Sequence, residues 1–133
     1  MEVREVAAWV MAALFGVVGG VWLFLVVRSG FASPPNSFAV SAAGFLICGA
    51  VVLQIGLDIV FGKRSSEPPD ERERLIVARA GNWAGWTLTL GVLYGLGRYV
   101  EDGNGNVLFH FIILAFIISG LVDYVSQIIL FRR

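Results

Sequence analysis

Residues 6–27 read VAAWVMAALFGVVGGVWLFLVV, a run of 22 residues without a charged side chain. An α-helix needs about 20 mostly apolar residues to cross the hydrocarbon core of a bilayer. The apolar part of a cleaved secretory signal is shorter, about 7–15 residues, and Arg28-Ser29-Gly30 offers no clear small-x-small cleavage site. The run is therefore predicted to be a transmembrane helix that the protein retains.

Three further apolar runs follow, at 38–61, 80–97 and 107–131. A helix satisfies its own backbone hydrogen bonds in lipid, so each run is predicted to be helical. The chain is accordingly predicted to be an all-α, four-transmembrane-helix bundle of two hairpins, forming a single membrane domain over 1–133. No cofactor is expected.

Composition supports a membrane location and excludes one class of partner. Hydrophobic residues make up 57 % of the chain and charged residues 15 %, whereas soluble domains carry about 25 % charged residues. The formal net charge is zero, so nothing suggests nucleic acid as a partner. The predicted partners are the lipid bilayer and another protein in the membrane, either a second copy or a larger complex.

Basic residues predict the orientation. Eight of the ten Lys and Arg residues lie on one side of the four spans, namely Arg4, Lys63, Arg64, Arg72, Arg74, Arg79, Arg132 and Arg133, and only Arg28 and Arg98 lie on the other. Short cytoplasmic loops are enriched in Lys and Arg. We therefore predict a multi-pass protein of the cell inner (cytoplasmic) membrane, with both termini and the middle loop in the cytoplasm.

The middle loop leads into a predicted helix from about Asp70 to Gly97, whose first turns, about 70–79, extend into the cytoplasm. Asp70 is the expected N-cap, and Glu73 three residues later suggests a capping box. Asp70 and Arg74 have the spacing of a helical ion pair. The candidate docking segment consists of Asp70, Glu71, Arg72, Glu73, Arg74 and Arg79.

Turn residues separate the spans. Pro34-Pro35-Asn36 and Glu67-Pro68-Pro69 cannot continue a helix. The stretch from Asp102 to Asn106 is predicted to form a tight polar turn.

The second and fourth spans share a weak pattern, FLICG at 45–49 and FIISG at 116–120, and each carries an i, i+4 pair of Gln and Asp. The two hairpins would have the same orientation, so the pattern suggests a parallel internal duplication. The alternative is chance similarity between two apolar helices.

Asp123 is the most informative polar residue. It lies eight residues before Phe131, roughly 12 Å inside the inner boundary at about 1.5 Å per residue, where a charged Asp costs about 2.5–3.5 kcal/mol. One interpretation is a proton or cation site; the other is a buried polar contact that joins helices. The candidate intramembrane polar site consists of Asp123, Gln127, Ser119, Tyr124, Gln54 and Asp58.

Two further polar residues have simpler interpretations. Asp58 can reach the inner interface, where Arg79 is a plausible ion-pair partner, while Gln54 one turn deeper could bridge to Asp123. His110 is expected at the outer interface. With this lone His and the lone Cys48, no metal site is predicted.

Three small-xxx-small patterns predict close helix packing. The candidate packing residues are Gly16, Gly20, Gly81, Gly85, Gly91 and Gly95. Packing within one chain and homo-oligomerisation are both open at this point.

The stretch from Pro69 to Ile76, PDERERLI, is followed by an Ala-rich helix start. It resembles a family of small prokaryotic four-span membrane proteins of unknown function, which carry an Asp-Glu-Arg-x-x-x-Ile motif before the third span. The resemblance implies the four-span architecture and no particular activity.

No catalytic motif is present in the sequence, so the leading hypothesis is a non-enzymatic accessory or scaffold subunit, or a small homo-oligomer. The alternative is a small proton- or cation-coupled transporter or channel that uses Asp123.

Overall fold

The computed structural model describes residues 3–34, 37–64 and 70–133. These residues form four helices: α1 (Val3–Ser29), α2 (Ser37–Arg64), α3 (Glu71–Asp102) and α4 (Gly105–Arg132). No strand is present in the described part, so the prediction of an all-α fold is confirmed. The predicted turns at Pro35-Asn36 and Glu67-Pro68-Pro69 lie outside the described residues.

Three helices are long and apolar enough to cross a membrane, over Arg4–Ser29, Val40–Val60 and Gly105–Arg132. Helix α3 is the longest, with 32 residues, but its charged first turns and its polar residues leave it outside that group. The third span at 80–97 therefore stays a prediction.

The end of α3 differs from the prediction, because the helix runs past Gly97 to Asp102. Arg98 pairs with Glu101 and Asp102 at 3.1 and 2.8 Å, which stabilises the added turn. Gly103 then ends the helix with a positive φ of 64°, a conformation that glycine adopts without steric cost.

The turn before α4 is consequently shorter than predicted. Asn104 caps α4, and its side chain accepts a hydrogen bond from the Asn106 backbone N–H at 3.0 Å. The side chain satisfies an N–H group that has no partner within the helix.

The start of α3 corrects another prediction. Asp70 occupies the N-cap position, but no side-chain capping bond forms there. Glu73 instead pairs with Arg4 of α1 at 2.8 Å, so its carboxylate faces a neighbouring helix and not the backbone N–H that a capping box would use. The described residues contain no ion pair between Asp70 and Arg74 either.

Packing places α4 at the centre. Helix α4 packs against both α1 and α3, and α2 packs against α1. A small apolar core of Trp22, Val26, Ala43 and Ile117 joins α1, α2 and α4. If the hairpins α1–α2 and α3–α4 were repeats, the contact of α1 with α4 would have an equivalent contact of α3 with α2. Within the described ranges α2 and α3 have no backbone contact. A duplication of the hairpins stays a prediction, as does the closed bundle.

The helix directions follow from contacts at the two ends. Arg4 pairs with Glu73, and Arg132 pairs with Glu5 at 3.1 Å, so α1 and α3 start where α4 ends. At the opposite end the Asn106 side chain donates to the Ala32 carbonyl at 3.4 Å. The charged first turns of α3 and the basic end of α4 therefore share one end of the molecule with the start of α1, and we name it the inner end.

Candidate functional site

Three of the predicted intramembrane residues form a connected polar network near the inner end. The Tyr124 hydroxyl donates to Gln54 Oε1 at 2.8 Å. Gln54 Nε2 in turn donates to Asp58 Oδ1 at 3.1 Å. The network joins α4 to α2, although the backbones of these two helices are not in contact. Gln54 therefore bridges to Tyr124, and not to Asp123 as predicted.

Asp123 lies beside this network with a partner of its own. Gln127 Nε2 donates to Asp123 Oδ1 at 3.0 Å, one turn away on the same helix. Asp123 directly precedes Tyr124 on α4, and Gln54 links Tyr124 to Asp58. The inner polar cluster is therefore defined here as Gln54, Asp58, Asp123, Tyr124 and Gln127.

The carboxylates of the cluster have amide partners and no cationic ones. The ion pairs among the described residues include neither Asp58 nor Asp123. The expected pair of Asp58 with Arg79 is absent from this set, because α2 and α3 are not neighbours. An amide neutralises no charge, so neither carboxylate is compensated by a cationic side chain within the described residues.

Ser119 does not belong to the cluster. Its hydroxyl donates to the Ala84 carbonyl of α3 at 2.9 Å and is buried. The predicted polar residues of α4 therefore divide into two groups, with Ser119 joining α4 to α3 and Asp123 and Gln127 lying with the inner polar cluster.

His110 is buried within the protein, and its predicted depth at the outer membrane interface stays a prediction. Its side chain is 4 % exposed, with ring centroids 5.9 Å from Trp22 and 6.3 Å from Phe31. His110 Nε2 lies 3.3 Å from the Ser33 carbonyl oxygen. A carbonyl only accepts, so Nε2 carries the hydrogen, and the contact holds the loop after α1 onto α4. Within the described residues no cluster of three potential metal ligands exists.

The inner end contains two contacts of Arg132 that no pattern in the sequence predicts. The Arg132 guanidinium bonds Glu5 and also lies 5.4 Å from the centre of the Trp9 ring. The only signal in the sequence was opposite charge at the ends of helices, and many other pairings had the same signal.

The predicted packing glycines separate into three groups. A Cβ added to Gly91 would lie 2.6 Å from Ala115 Cβ, and one added to Gly95 would lie 3.1 Å from Phe111 Cβ, so these two form the contact of α3 with α4. Gly16 makes an ordinary contact with Leu121 at 3.9 Å. A Cβ at Gly20, Gly81 or Gly85 would meet nothing within 4 Å.

Two glycines outside the six candidate packing residues have close contacts. A Cβ at Gly19 would lie 2.6 Å from Ile117 Cγ2, and one at Gly120 would lie 2.6 Å from Phe15 Cε1. Both belong to the contact of α1 with α4. Neither was a member of the chosen spacing patterns, and glycine content alone does not reveal which helix faces meet.

One side of α3 carries glycines together with polar residues and is uncovered. Glu71, Arg74, Gly81, Asn82, Gly85 and Thr89 are all exposed, and we name them the open face of α3. The Thr89 hydroxyl donates to the Gly85 carbonyl at 2.8 Å within the helix. A surface of this kind would allow another helix to approach the backbone closely, and it also exposes hydrogen-bonding groups.

Comparisons of the chain with models of protein families, with curated proteins and with solved structures find no match. The resemblance carried by residues 69–76 stays a prediction.

Proposed function

We propose that this chain is a non-enzymatic integral protein of the cytoplasmic membrane. It acts by packing against other helices, as an accessory or scaffold subunit of a larger assembly or as a small homo-oligomer. All four helices cross the bilayer, with both chain termini and the inner end in the cytoplasm. Three strongly apolar helices and the collection of basic residues at the inner end support this orientation.

The open face of α3 is the observation that carries the proposal. Asn82 is exposed and lies three residues beyond Arg79, and the backbone at Gly81 and Gly85 is bare of side chains. Lipid chains offer no hydrogen-bond partners to such groups. If α3 crosses the bilayer, contact with another protein helix would supply the hydrogen-bond partners that this face lacks in lipid.

The cytoplasmic turns of α3 extend the same surface. Arg72, Arg74 and Arg79 are exposed, as is Glu71, whereas Glu73 is occupied by Arg4. Polar side chains that point away from the rest of the chain are available to a partner at the membrane surface. The segment from 70 to 79 is accordingly proposed as the docking element outside the bilayer.

The native mass of the purified protein tests this function. The protein is extracted in mild detergent or native nanodiscs, its mass is measured, and co-purifying chains are identified. We expect a defined complex larger than one chain. A population consisting of one chain without partners, in both detergent and nanodiscs, would contradict the proposal.

The inner polar cluster favours a second candidate, a small proton- or cation-coupled transporter or channel. Asp58 is linked to Tyr124 through Gln54 and Asp123 directly precedes Tyr124, and neither carboxylate has a cationic partner among the described residues. In this function Asp123 and Gln127 line the path and Asp58 lies at its inner mouth.

Flux into proteoliposomes tests the second candidate. Asp123→Asn is expected to abolish the flux while expression and folding persist, because the amide cannot bind a proton or neutralise a cation. Ser119→Ala is the matched control, since Ser119 bonds α3 outside the cluster. An unaltered flux in Asp123→Asn, or no flux for any tested ion in the unmodified protein, would remove this candidate.

A further inference from the structure

We infer that the open face of α3 binds the same face of a second copy of this chain, helix against helix and parallel. The inference rests on the proposed function, because it names the partner and the surface for an assembly. Two copies inserted in one membrane have the same orientation, so a two-fold axis along the membrane normal brings the two α3 helices together in parallel.

The first support is the shape of the face. At 3.6 residues per turn the six residues of the open face lie within a sector of about 100° around α3, and Ala84, Gly91 and Gly95 face α4 on a different sector. Around Gly81 and Gly85 an added Cβ meets no atom within 4 Å. Two glycines four residues apart allow two helix backbones to approach closely.

The second support is charge. Glu71 and Arg74 are exposed on this sector and form no ion pair among the described residues. Two-fold symmetry places Glu71 of one copy near Arg74 of the other, and the reverse pair forms at the same time. The face is therefore complementary in charge to itself, which a surface carrying a single charge sign would not be.

The third support is the exposed amide of Asn82. An amide side chain both donates and accepts hydrogen bonds, so Asn82 can bond the Asn82 of a second copy across the axis. Interhelical bonds of this kind join helices in membranes. Shape, charge and hydrogen bonding thus select the same occupant, and a lipid chain would match only the shape.

Disulfide cross-linking in native membranes tests the surface directly. In a Cys48→Ser background, Asn82→Cys is compared with Trp83→Cys, an exposed neighbour at the same depth on another side of α3. A disulfide forms readily only when the two Cα atoms lie within about 7 Å. We expect at least fivefold more cross-linked dimer for Asn82→Cys. Equal yields, or a higher yield for Trp83→Cys, would overturn the inference.

Association measured by energy transfer between labelled chains in vesicles tests the contacts. Gly85→Leu is expected to weaken association at least tenfold, whereas Gly97→Leu, which also has open space around its Cβ, leaves it unchanged. Glu71→Arg is expected to weaken association, and adding Arg74→Glu to it to restore most of the loss. Equal effects of the two glycine substitutions, or no restoration by the double charge reversal, would contradict the inference.

The two proposals fail in different ways. A complex larger than one chain that gives no cross-link through Asn82→Cys refutes this surface and leaves an assembly standing. A single chain in detergent and nanodiscs, without any cross-link in the membrane, refutes both.

Discussion

Gly91 and Gly81 have the same side chain and opposite surroundings. A Cβ at Gly91 would lie 2.6 Å from Ala115 Cβ and 3.4 Å from its Cα, and a backbone cannot move aside as a flexible side chain can. At Gly81 nothing lies within 4 Å. One residue type therefore serves the packing of α3 against α4 in one place and leaves a surface open in another.

Alanine substitution distinguishes these two roles. Gly91→Ala is expected to lower the free energy of unfolding by about 1–3 kcal/mol, the usual effect of overpacking. Gly81→Ala is expected to leave it unchanged or raise it by up to about 1 kcal/mol, because Ala favours the helix. Reversible unfolding in mixed detergent micelles measures both. The interpretation fails if Gly91→Ala is the more stable variant.

Tyr124 supplies the hydroxyl that holds α2 to α4. Tyr124→Phe removes only that oxygen, and bonds of this kind in membranes contribute about 0.6 kcal/mol on average and about 1.7 kcal/mol at most. We expect a loss of stability in that range, measured by the same unfolding assay. Tyr94→Phe is the control, since Tyr94 is 59 % exposed on α3. An equal loss in both variants would mean that the bond to Gln54 contributes nothing.

At the scale of elements, α4 organises the molecule. It contacts α1 through Gly19 and Gly120 and contacts α3 through Gly91, Gly95 and Ser119. Helix α2 touches this framework mainly through the small core at Ala43 and through Gln54. The uncovered sides of α2 and α3 are thus the places where lipid or another protein must complete the structure.

The ion pairs at the inner end join three elements. Arg4→Ala is expected to lower stability by up to about 1 kcal/mol, because exposed ion pairs contribute little, and the loss should shrink in high salt. Thermal unfolding at two salt concentrations measures this effect. Arg72→Ala is the control, since Arg72 has no ion pair among the described residues. A loss for Arg4→Ala that does not depend on salt would contradict an electrostatic origin.

At the scale of the whole molecule, the placement of helix ends makes the membrane orientation testable. In a Cys48→Ser background, Ala32→Cys lies at the outer end and Arg72→Cys at the inner end, and both positions are exposed. A membrane-impermeant thiol reagent should label Ala32→Cys in spheroplasts whose cytoplasmic membrane is intact. It should label Arg72→Cys only after that membrane is permeabilised. The opposite pattern would reverse the proposed orientation.

The sequence by itself determined the helical class and most helix boundaries. Long apolar runs can satisfy backbone hydrogen bonds in lipid only as helices, and Pro and Gly residues separate them. The hydrogen bonds at a helix start were less predictable where a charged residue from a distant part of the chain competed for the same side chain. Glu73 had the spacing of a capping box, yet it pairs with Arg4, and this competition is invisible to a local pattern.

Only the tertiary structure decided which polar and small residues meet. The sequence identifies Ser119, Asp123, Tyr124 and Gln127 as polar positions on α4. It cannot assign Ser119 to α3 and Tyr124 to α2, because helical spacing describes one helix and not its neighbours. The same limit applies to the glycines. A spacing of four residues marks a face that permits close approach, and the position of α4 determines that Gly91 and Gly95 are covered while Gly81 and Gly85 are open.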